Sequence, residues 1–317
     1  MLAAEKKLVV LDTDPGIDDT MALLYLNALP QVELHSVTTV FGNGPVAQTT
    51  KNACFLVSRF GIDVPVHAGA GDPLVGKRFV PDLKVHGADG LGDVGIAENA
   101  EYSPAASPAS QHICDVVRAN PGRVTLLAIG PLTNLANAVT EQPDIAGLVE
   151  QVVVMGGAFG TKGRWGNIRP NAEANFFYDP DAAEAVLSAP WPLTTVGLDV
   201  TSDCILTTMQ IEEMQQTCGP TGKFLRLISL GYESIYREFD GLDGFCIHDV
   251  AAAAYVARPD LFTEVSADLS VGLSTSDRGR STAEQQADSM KSYCSDVKPE
   301  EVVRHFLSVM KYYSDRP

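Results

Sequence analysis

The sequence predicts an α/β fold in a single domain, residues 1–317: a Rossmann-like, mostly parallel sheet flanked by helices, with a helical cap over the carboxyl ends of its strands. Short runs rich in Val and Leu alternate with longer segments of helical spacing, which is typical of βα units around a parallel sheet. Apolar residues make up 45% of the chain, enough for one sizeable core. Polar side chains follow several of the apolar runs, where open parallel sheets bind their ligands.

The individual elements follow from these patterns in chain order. The first strand is predicted at Leu8 to Leu11, and its helix at Asp18 to Leu29. A second strand at Leu34 to Val40 precedes a helix from about Val46 to Phe60. Further apolar runs of strand length begin near Val64, Val124, Glu150 and Leu193. Further segments have helical spacing, at Leu132 to Glu141, Pro180 to Leu187, Met209 to Gln216 and Thr221 to Arg237.

The rest of the chain is predicted from what interrupts this pattern. The alternation of strands and helices fades after about Val200, where helices dominate, so we expect a mixed cap there. Long loops are expected at Pro73 to Pro108 and at Gly156 to Asn171. Loops of that length inside a compact domain are typically functional or mobile.

Composition and charge argue against several classes of function. The formal net charge is −17, which argues against a nucleic-acid partner because phosphate contacts need patches of Lys and Arg. The six cysteines are scattered without a CxxC pair and are predicted to be reduced thiols. No apolar run is long enough to span a membrane, and residues 1–7 lack the apolar core of a signal peptide. We therefore expect no membrane partner and a location in the cytoplasm.

A cluster of acidic residues follows the first strand, comprising Asp12, Asp14, Asp18 and Asp19. Like charges crowded at a strand end repel one another unless a cation neutralises them. Carboxylate oxygens without neighbouring Cys or His favour a hard ion, Ca²⁺ or Mg²⁺. The alternative needs no metal: Asp18 and Asp19 then only complement the dipole at the start of a helix.

A strand followed by Asp-x-Asp also resembles the aspartyl-nucleophile motif of haloacid-dehalogenase-type phosphatases, which bind Mg²⁺. Those proteins usually carry Thr or Val two residues after the second Asp, where this sequence has Gly16. The second acidic pair, Asp18-Asp19, is also foreign to them. This alternative predicts release of phosphate from a phosphomonoester.

The segment DTDPGIDD, residues 12–19, resembles the N-terminal signature of the nucleoside hydrolases, the inosine/uridine-preferring type of N-ribohydrolases. The resemblance continues in the same order over nearly the whole chain, through Gly42-Asn43, VHGADGLGD at 85–93, AIGPLTN at 128–134, MGG at 155–157, Glu173-Ala174-Asn175 and Ile247-His248-Asp249. It implies Ca²⁺-dependent hydrolysis of the N-glycosidic bond of ribonucleosides to ribose and free base, through an oxocarbenium-like transition state. It also implies a homodimer or homotetramer whose substrate is a small ribonucleoside.

The resemblance assigns roles around the sugar. Its calcium ligands are Asp14, Asp19, Asp249 and the main-chain carbonyl of Ile129, an ordinary Ca²⁺ ligand. Asp14 is also the general base for the attacking water, and Asp12 supports the loop. The positions that match ribose-binding residues are Asp18, Asn43, Asn167, Glu173 and Asn175.

Other residues are assigned to the base. His248 is implied to assist the leaving base, a role for which a pKa near neutrality is suited. The resemblance places His86, Tyr232 and Tyr236 in the base pocket. The two tyrosines lie one helical turn apart, so a packed helix face explains them nearly as well.

Several positions stay open. His248 argues against the purine-specific branch, which relies on tryptophan stacking, yet Trp165 precedes Asn167 and could lie near the base. Simple packing is the alternative for Trp165 and for Trp191. The other histidines, His35, His67, His112 and His305, read as ordinary core or surface residues. The chain departs from the family's pattern at Gly44-Pro45 and in the longer stretch Phe159 to Gly166, which puts base specificity in doubt. A non-enzymatic Ca²⁺-dependent nucleoside- or ribose-binding protein would share the ribose-binding residues but need not keep both Asp14 and His248.

Overall fold

The structure is a computed structural model that describes residues 5–76, 79–80, 83–95, 103–168 and 171–316. Its strands are β1 Lys7–Thr13, β2 Val32–Thr39, β3 Val66–Ala68, β4 Val124–Ala128, β5 Gln151–Met155, β6 Leu193–Val196, β7 Ile205–Thr207, β8 Gly244–Cys246, β9 Phe262–Val271, β10 Ser281–Gln285 and β11 Lys291–Val297. Its α-helices are α1 Ile17–Ala28, α2 Val46–Arg59, α3 Ala109–Ala119, α4 Thr133–Glu141, α5 Ala174–Tyr178, α6 Pro180–Ser188, α7 Leu198–Thr201, α8 Thr208–Thr217, α9 Gly219–Phe239, α10 His248–Ala257 and α11 Pro299–Met310.

The main sheet has the strand order β10-β9-β11-β6-β5-β4-β1-β2-β3. Its pairs from β11 and β6 through to β2 and β3 are parallel, whereas β9 pairs antiparallel with both β10 and β11. β1 is therefore an inner strand, with Leu11 opposite Val37 of β2 and Leu127 of β4. The carboxyl ends of the parallel strands share one edge of the sheet, which confirms the predicted α/β architecture.

The apolar core lies on both faces of this sheet. Val9 and Leu11 of β1 belong to one buried cluster, while Leu8 and Val10 belong to the other. Because successive side chains of a strand point to opposite faces, a strand covered on both sides must be apolar at every position. Burial of each Val or Leu side chain contributes roughly 1.5–3 kcal/mol, so a central strand of this kind is strongly specified.

The prediction for the C-terminal third was wrong. Helices were expected to dominate after Val200, but β9, β10 and β11 extend the main sheet there. These strands contain many polar residues, and the C-terminal half of β9 alternates between buried and exposed positions because one of its faces is covered. Such strands are stabilised by pairing with distant neighbours, which a search for continuous apolar runs does not detect.

The remaining predictions from the sequence can be compared with the structure one by one. The described residues between β3 and α3, and between β5 and α5, contain no further helix or strand, as the loop predictions required. The Ala-rich helix α10 was missed, although it positions two predicted site residues. All six cysteines are free and buried. Within the described part of the chain, no helix is long and apolar enough to cross a membrane.

Candidate active site

A cleft of about 290 Å³ opens at the carboxyl ends of the parallel strands. All of the predicted site residues except Asp19 line it. Five further residues also line it, to which the sequence assigned no role: Val85, Met155, Ile168, Ala174 and Tyr178. Volume alone does not select this cleft, because one of about 380 Å³ lies at the beginnings of β5, β6 and β11. The smaller cleft is distinguished by its buried carboxylates, Asp14, Asp18, Glu173 and Asp249.

Asp14 follows β1 and is held by main-chain groups at close range. Its Oδ2 accepts a hydrogen bond from the Asn43 N–H at 2.7 Å. A Cβ atom on Gly42 would lie 2.0 Å from that oxygen, and one on Gly130 would lie 2.5 Å from Oδ1, so glycine is required on both sides. Oδ1 is buried and has no hydrogen-bond partner among the residues that the structure describes. A buried carboxylate oxygen that lacks a donor is suited to bind a cation or to accept a proton.

Asp19 lies behind the cleft in the first turn of α1, and the surrounding donors fix its orientation. It accepts hydrogen bonds from the Thr13 hydroxyl at 2.5 Å, the Gly16 N–H at 2.9 Å and the Asn43 side-chain amide at 3.0 Å. The contact with Gly16 closes the N-terminus of α1. Asp19 therefore stabilises the start of α1, as the sequence suggested. The same contacts orient its carboxylate, which also belongs to an acidic group.

That acidic group consists of Asp18, Asp19 and Asp249, which are all buried and each place one oxygen within 4.8 Å of the others. Asp18 and Asp249 occupy the first turns of α1 and α10, where the helix dipoles favour negative charge. The grouping differs from the predicted ligand set, because Asp18 belongs to the closest group and Asp14 does not. Asp14 is still near enough for its charge to raise the pKa of Asp249.

Burial and mutual repulsion make these carboxyls costly to ionise. Burial, followed by the charge of Asp19, raises the pKa of Asp18 to about 7 and that of Asp14 well above its usual range. Burial, followed by the charge of Asp18, raises the pKa of Asp249 strongly. The donor atoms are all oxygens, as a hard divalent ion prefers. With the unpartnered oxygen of Asp14, the cluster therefore fits such an ion.

A second group of polar side chains, Asn167, Glu173 and Asn175, also lines the cleft. Glu173 caps the short helix α5 and accepts hydrogen bonds from the N–H groups of Gly157, Asn175 and Phe176 at 2.9–3.1 Å. Burial nevertheless raises its pKa to about 7. The Asn175 side-chain amide donates to the Ile129 carbonyl at 3.0 Å, and so ties this group to the predicted metal ligand.

Asn167 completes this side of the cleft, since its Oδ1 accepts from the Ala174 N–H at 3.0 Å. The contacts of Asn167 with Ala174 and of Asn175 with Ile129 therefore hold the turn that carries Glu173 in place.

Imidazole and phenol rings form another part of the cleft wall. His248 Nε2 shares a hydrogen bond with the Tyr236 hydroxyl at 2.9 Å, and the Tyr232 hydroxyl lies 3.4 Å from that of Tyr236. His86 packs on Tyr232 with ring centroids 5.0 Å apart, and its Nδ1 accepts from the Ile17 N–H. The alternative of tyrosines that only pack against the core does not describe them, because both line the cleft.

The pKa of His248 is lower than the near-neutral value that suits a proton donor. Burial lowers its pKa to about 4 and that of His86 to about 3. Both rings are therefore neutral at pH 7. The sequence could not indicate this, because burial depends on distant segments. It also missed Thr201, whose hydroxyl lies 2.8 Å from His248 Nδ1.

The two tryptophans differ in their surroundings: Trp165 is 43% exposed, whereas Trp191 is buried. Trp165 does not line the cleft; its ring packs on Gly160, with the Arg280 guanidinium 5.6 Å from the ring centroid. Trp191 is fully buried, and its indole N–H donates to the Val186 carbonyl at 2.9 Å.

The four other histidines also lie outside the cleft. The rings of His67 and His112 stack on each other, and His112 shares a hydrogen bond with the hydroxyl of Ser36, the neighbour of His35. His305 shares a hydrogen bond with Tyr25. These contacts agree with the structural roles expected from the sequence.

The sequence of the chain is similar to those of known proteins. The family model for inosine-uridine preferring nucleoside hydrolase matches residues 9–305. The chain is 38% identical over 266 residues to uridine nucleosidase 1 of Arabidopsis thaliana, which covers 83% of this chain and 77% of that protein. It is 35% identical over 257 residues to the pyrimidine-specific ribonucleoside hydrolase RihB of Escherichia coli O9:H4 (strain HS), with 81% and 80% covered.

A solved structure supports the same assignment. The purine-preferring ribonucleoside hydrolase from Gardnerella vaginalis superposes with a TM-score of 0.90 at 27% identity, over 98% of this chain and 100% of that one. Sequence and fold agree over nearly the whole length, and the acidic strand end lies where the motif predicted it. The chain belongs to the inosine-uridine preferring nucleoside hydrolases, enzymes that hydrolyse the N-glycosyl bond of ribonucleosides.

Proposed function

We propose that this nucleoside hydrolase binds one Ca²⁺ in its acidic cluster and uses it to cleave ribonucleosides to ribose and free base. The observation that carries the proposal is the buried group of carboxylates that shares one cleft with further carboxylate and amide side chains. Asp14, Asp19, Asp249 and the Ile129 carbonyl would hold the ion, and Asp18 is close enough to contribute. A bound divalent ion lowers the pKa of water and orients sugar hydroxyls.

Asp14 is proposed as the general base that receives the proton of the attacking water. Within the described part of the chain, its Oδ1 has no hydrogen-bond partner, whereas its Oδ2 is anchored by Asn43. One oxygen therefore orients the carboxylate while the other is available for the proton. The water oxygen forms a bond to the anomeric carbon, and the electron pair of the broken C–N bond leaves with the base.

The ribose is proposed to lie between the acidic cluster and the Glu173 turn. Asp18, Asn43, Asn167, Glu173 and Asn175 line this part of the cleft and offer carboxylate and amide groups for hydroxyls. Buried polar groups of this kind discriminate strongly against a sugar that lacks a hydroxyl, because they are then left unpaired.

The base is proposed to lie against His86, Tyr232 and Tyr236, with His248 as hydrogen-bond donor to its departing atoms. Flat aromatic walls accept rings of either size, so we expect turnover of both purine and pyrimidine ribonucleosides. The relatives agree with such breadth across the family, since their names include uridine, pyrimidine-specific and purine-preferring enzymes.

Steady-state kinetics on inosine, uridine, cytidine and adenosine test the proposed reaction. We expect equal amounts of free base and reducing sugar from at least one purine and one pyrimidine nucleoside. Binding of nucleosides without turnover would instead support a binding protein. Release of inorganic phosphate from a phosphomonoester, with no free base from nucleosides, would support the phosphatase alternative.

Replacement of His248 by Ala is expected to slow inosine hydrolysis roughly 100-fold, within the range of a lost hydrogen-bond or proton donor. An activated nitrophenyl riboside needs less help for its leaving group, so its turnover should fall much less. His35→Ala, outside the cleft, is the control and should leave both rates unchanged. Equal losses on the two substrates would remove the leaving-group role from His248.

The quaternary structure and the location of the protein remain predictions. The family resemblance implies a homodimer or homotetramer, which light scattering at working concentration will measure. A cytoplasmic location is likewise proposed, and fractionation of cells that express the protein will test it.

A further inference from the structure

We propose that Thr201 is a positioning residue for the leaving-group step: its hydroxyl holds the His248 ring in the tautomer that presents an Nε2–H to the base. The inference rests on the proposed role of His248 and extends it to a residue outside the cleft lining. Thr201 is completely buried at the end of α7, and its Oγ1 lies 2.8 Å from His248 Nδ1.

The direction of this hydrogen bond follows from donor and acceptor counting. A neutral imidazole carries its hydrogen on one nitrogen, and the partner of the other nitrogen decides which one. Among the described residues, the Thr201 hydroxyl makes no other hydrogen bond. If it accepted from Nδ1–H, its own hydrogen would be buried without an acceptor. If it donates to Nδ1, the group is satisfied and the ring hydrogen must be on Nε2.

The neighbouring hydroxyls are consistent with the same direction. An Nε2–H can donate to the Tyr236 oxygen at 2.9 Å, and the Tyr236 hydroxyl can then donate towards Tyr232 at 3.4 Å. In this series of hydrogen bonds, Thr201 donates to His248, His248 donates to Tyr236, and Tyr236 donates towards Tyr232 in the cleft. With substrate bound, the same Nε2–H is the donor available to the departing base.

The surrounding backbone fixes the distance between Thr201 and His248. The Leu198 N–H at the start of α7 donates to the Gly157 carbonyl at 2.9 Å, and Asp199 accepts from the N–H groups of Phe159 and Thr161 at 2.7 Å.

At the other end of the helix, the Cys204 N–H donates to the Thr201 carbonyl, and the Ile247 N–H, next to His248, donates to the Cys204 carbonyl. The two side chains are therefore brought together by a rigid backbone path, as positioning of a reacting group requires.

Thr201→Val tests the role of the hydroxyl because it keeps the shape of the side chain and removes the donor. We expect kcat on inosine to fall roughly 10-fold or more, which is the effect of one lost hydrogen bond. On the nitrophenyl riboside, kcat should change less than about 2-fold. Thr201→Ser keeps the hydroxyl and should retain most of the activity on both substrates.

The matched control is Thr195→Val, which removes another buried threonine hydroxyl. This hydroxyl lies in β6 and has no hydrogen-bond partner among the residues described by the structure. Its kinetics should equal those of the unmodified enzyme. Equal losses of Thr201→Val on both substrates would show a merely structural role, and unchanged rates on both would show no role. Either result overturns the proposal.

A measurement on the unmodified protein covers the case in which Thr201→Val does not fold. Long-range ¹H–¹⁵N spectra of the ¹⁵N-histidine-labelled enzyme should show the His248 ring with a bare Nδ1 and a protonated Nε2. A protonated Nδ1 would overturn the proposal. This result is independent of the proposed function, which would fail separately if the unmodified enzyme released no base from any ribonucleoside.

Discussion

Asp14→Ala is expected to abolish turnover, with a loss of roughly 10⁴-fold or more in kcat on every ribonucleoside. The variant removes the proposed base together with a charge of the cation site. Unlike His248→Ala, it should affect the nitrophenyl riboside equally, because attack by water is needed whatever the leaving group. Steady-state release of reducing sugar from inosine and from the nitrophenyl riboside measures both effects.

Asp14→Asn separates the chemistry from the packing. Asparagine fits the same tight space between Gly42 and Gly130 and can still accept from the Asn43 N–H, but it cannot take a proton. We expect it to bind nucleosides measurably by calorimetry while it turns over as poorly as Asp14→Ala. The control is Asp144→Asn, which loses only an exposed ion pair with Arg118 and should keep full activity. Retention of more than about a tenth of kcat by Asp14→Asn would assign the general base to another residue.

Removal of divalent cations is expected to have the other large effect. Treatment with a chelator should eliminate turnover, and added Ca²⁺ should restore it, because without an ion the three carboxyls of the acidic group cannot all ionise in so small a buried space. A cation that binds only the folded protein also stabilises it, by about 2.7 kcal/mol at a hundredfold excess over Kd. Full activity after exhaustive chelation, with no metal found by elemental analysis, would contradict the calcium site.

The pH dependence of this stabilisation has a definite sign. Burial raises the pKa values of Asp12, Asp18 and Glu173 to about 7 from ordinary values near 4. A carboxyl with a raised folded-state pKa contributes stability below its ordinary pKa and loses that contribution as the pH rises through its folded value. The free energy of unfolding of the metal-free protein should therefore fall between about pH 4 and pH 7 on account of these groups.

Calcium requires the ionised forms, so its effect on the melting temperature should be larger at pH 8 than at pH 5. Thermal unfolding with and without Ca²⁺ at both pH values measures the difference. An equal shift at the two values would place the ion elsewhere.

The central strands and the four aspartates that follow β1 could be predicted from the sequence alone. The strand runs at Leu8, Val124 and Glu150 are apolar at successive positions because both faces of the sheet are covered, and this leaves an unambiguous local pattern. Asp14 and Asp19 are close in the chain as well as in space, so their proximity needed no knowledge of the fold. The specific motif at 12–19 then indicated the family that the comparisons confirmed.

Other features depend on contacts between distant segments, and only the tertiary structure decided them. β9, β10 and β11 are too polar to recognise locally, because they are stabilised by pairing with one another and with β6. Asp249 joins Asp18 and Asp19 only because α10 packs beside α1. Burial by remote residues lowers the pKa of His248, and the fold brings Thr201 to its ring. Patterns in sequence report local geometry, whereas proximity across the chain and solvent exclusion arise only when the whole chain packs.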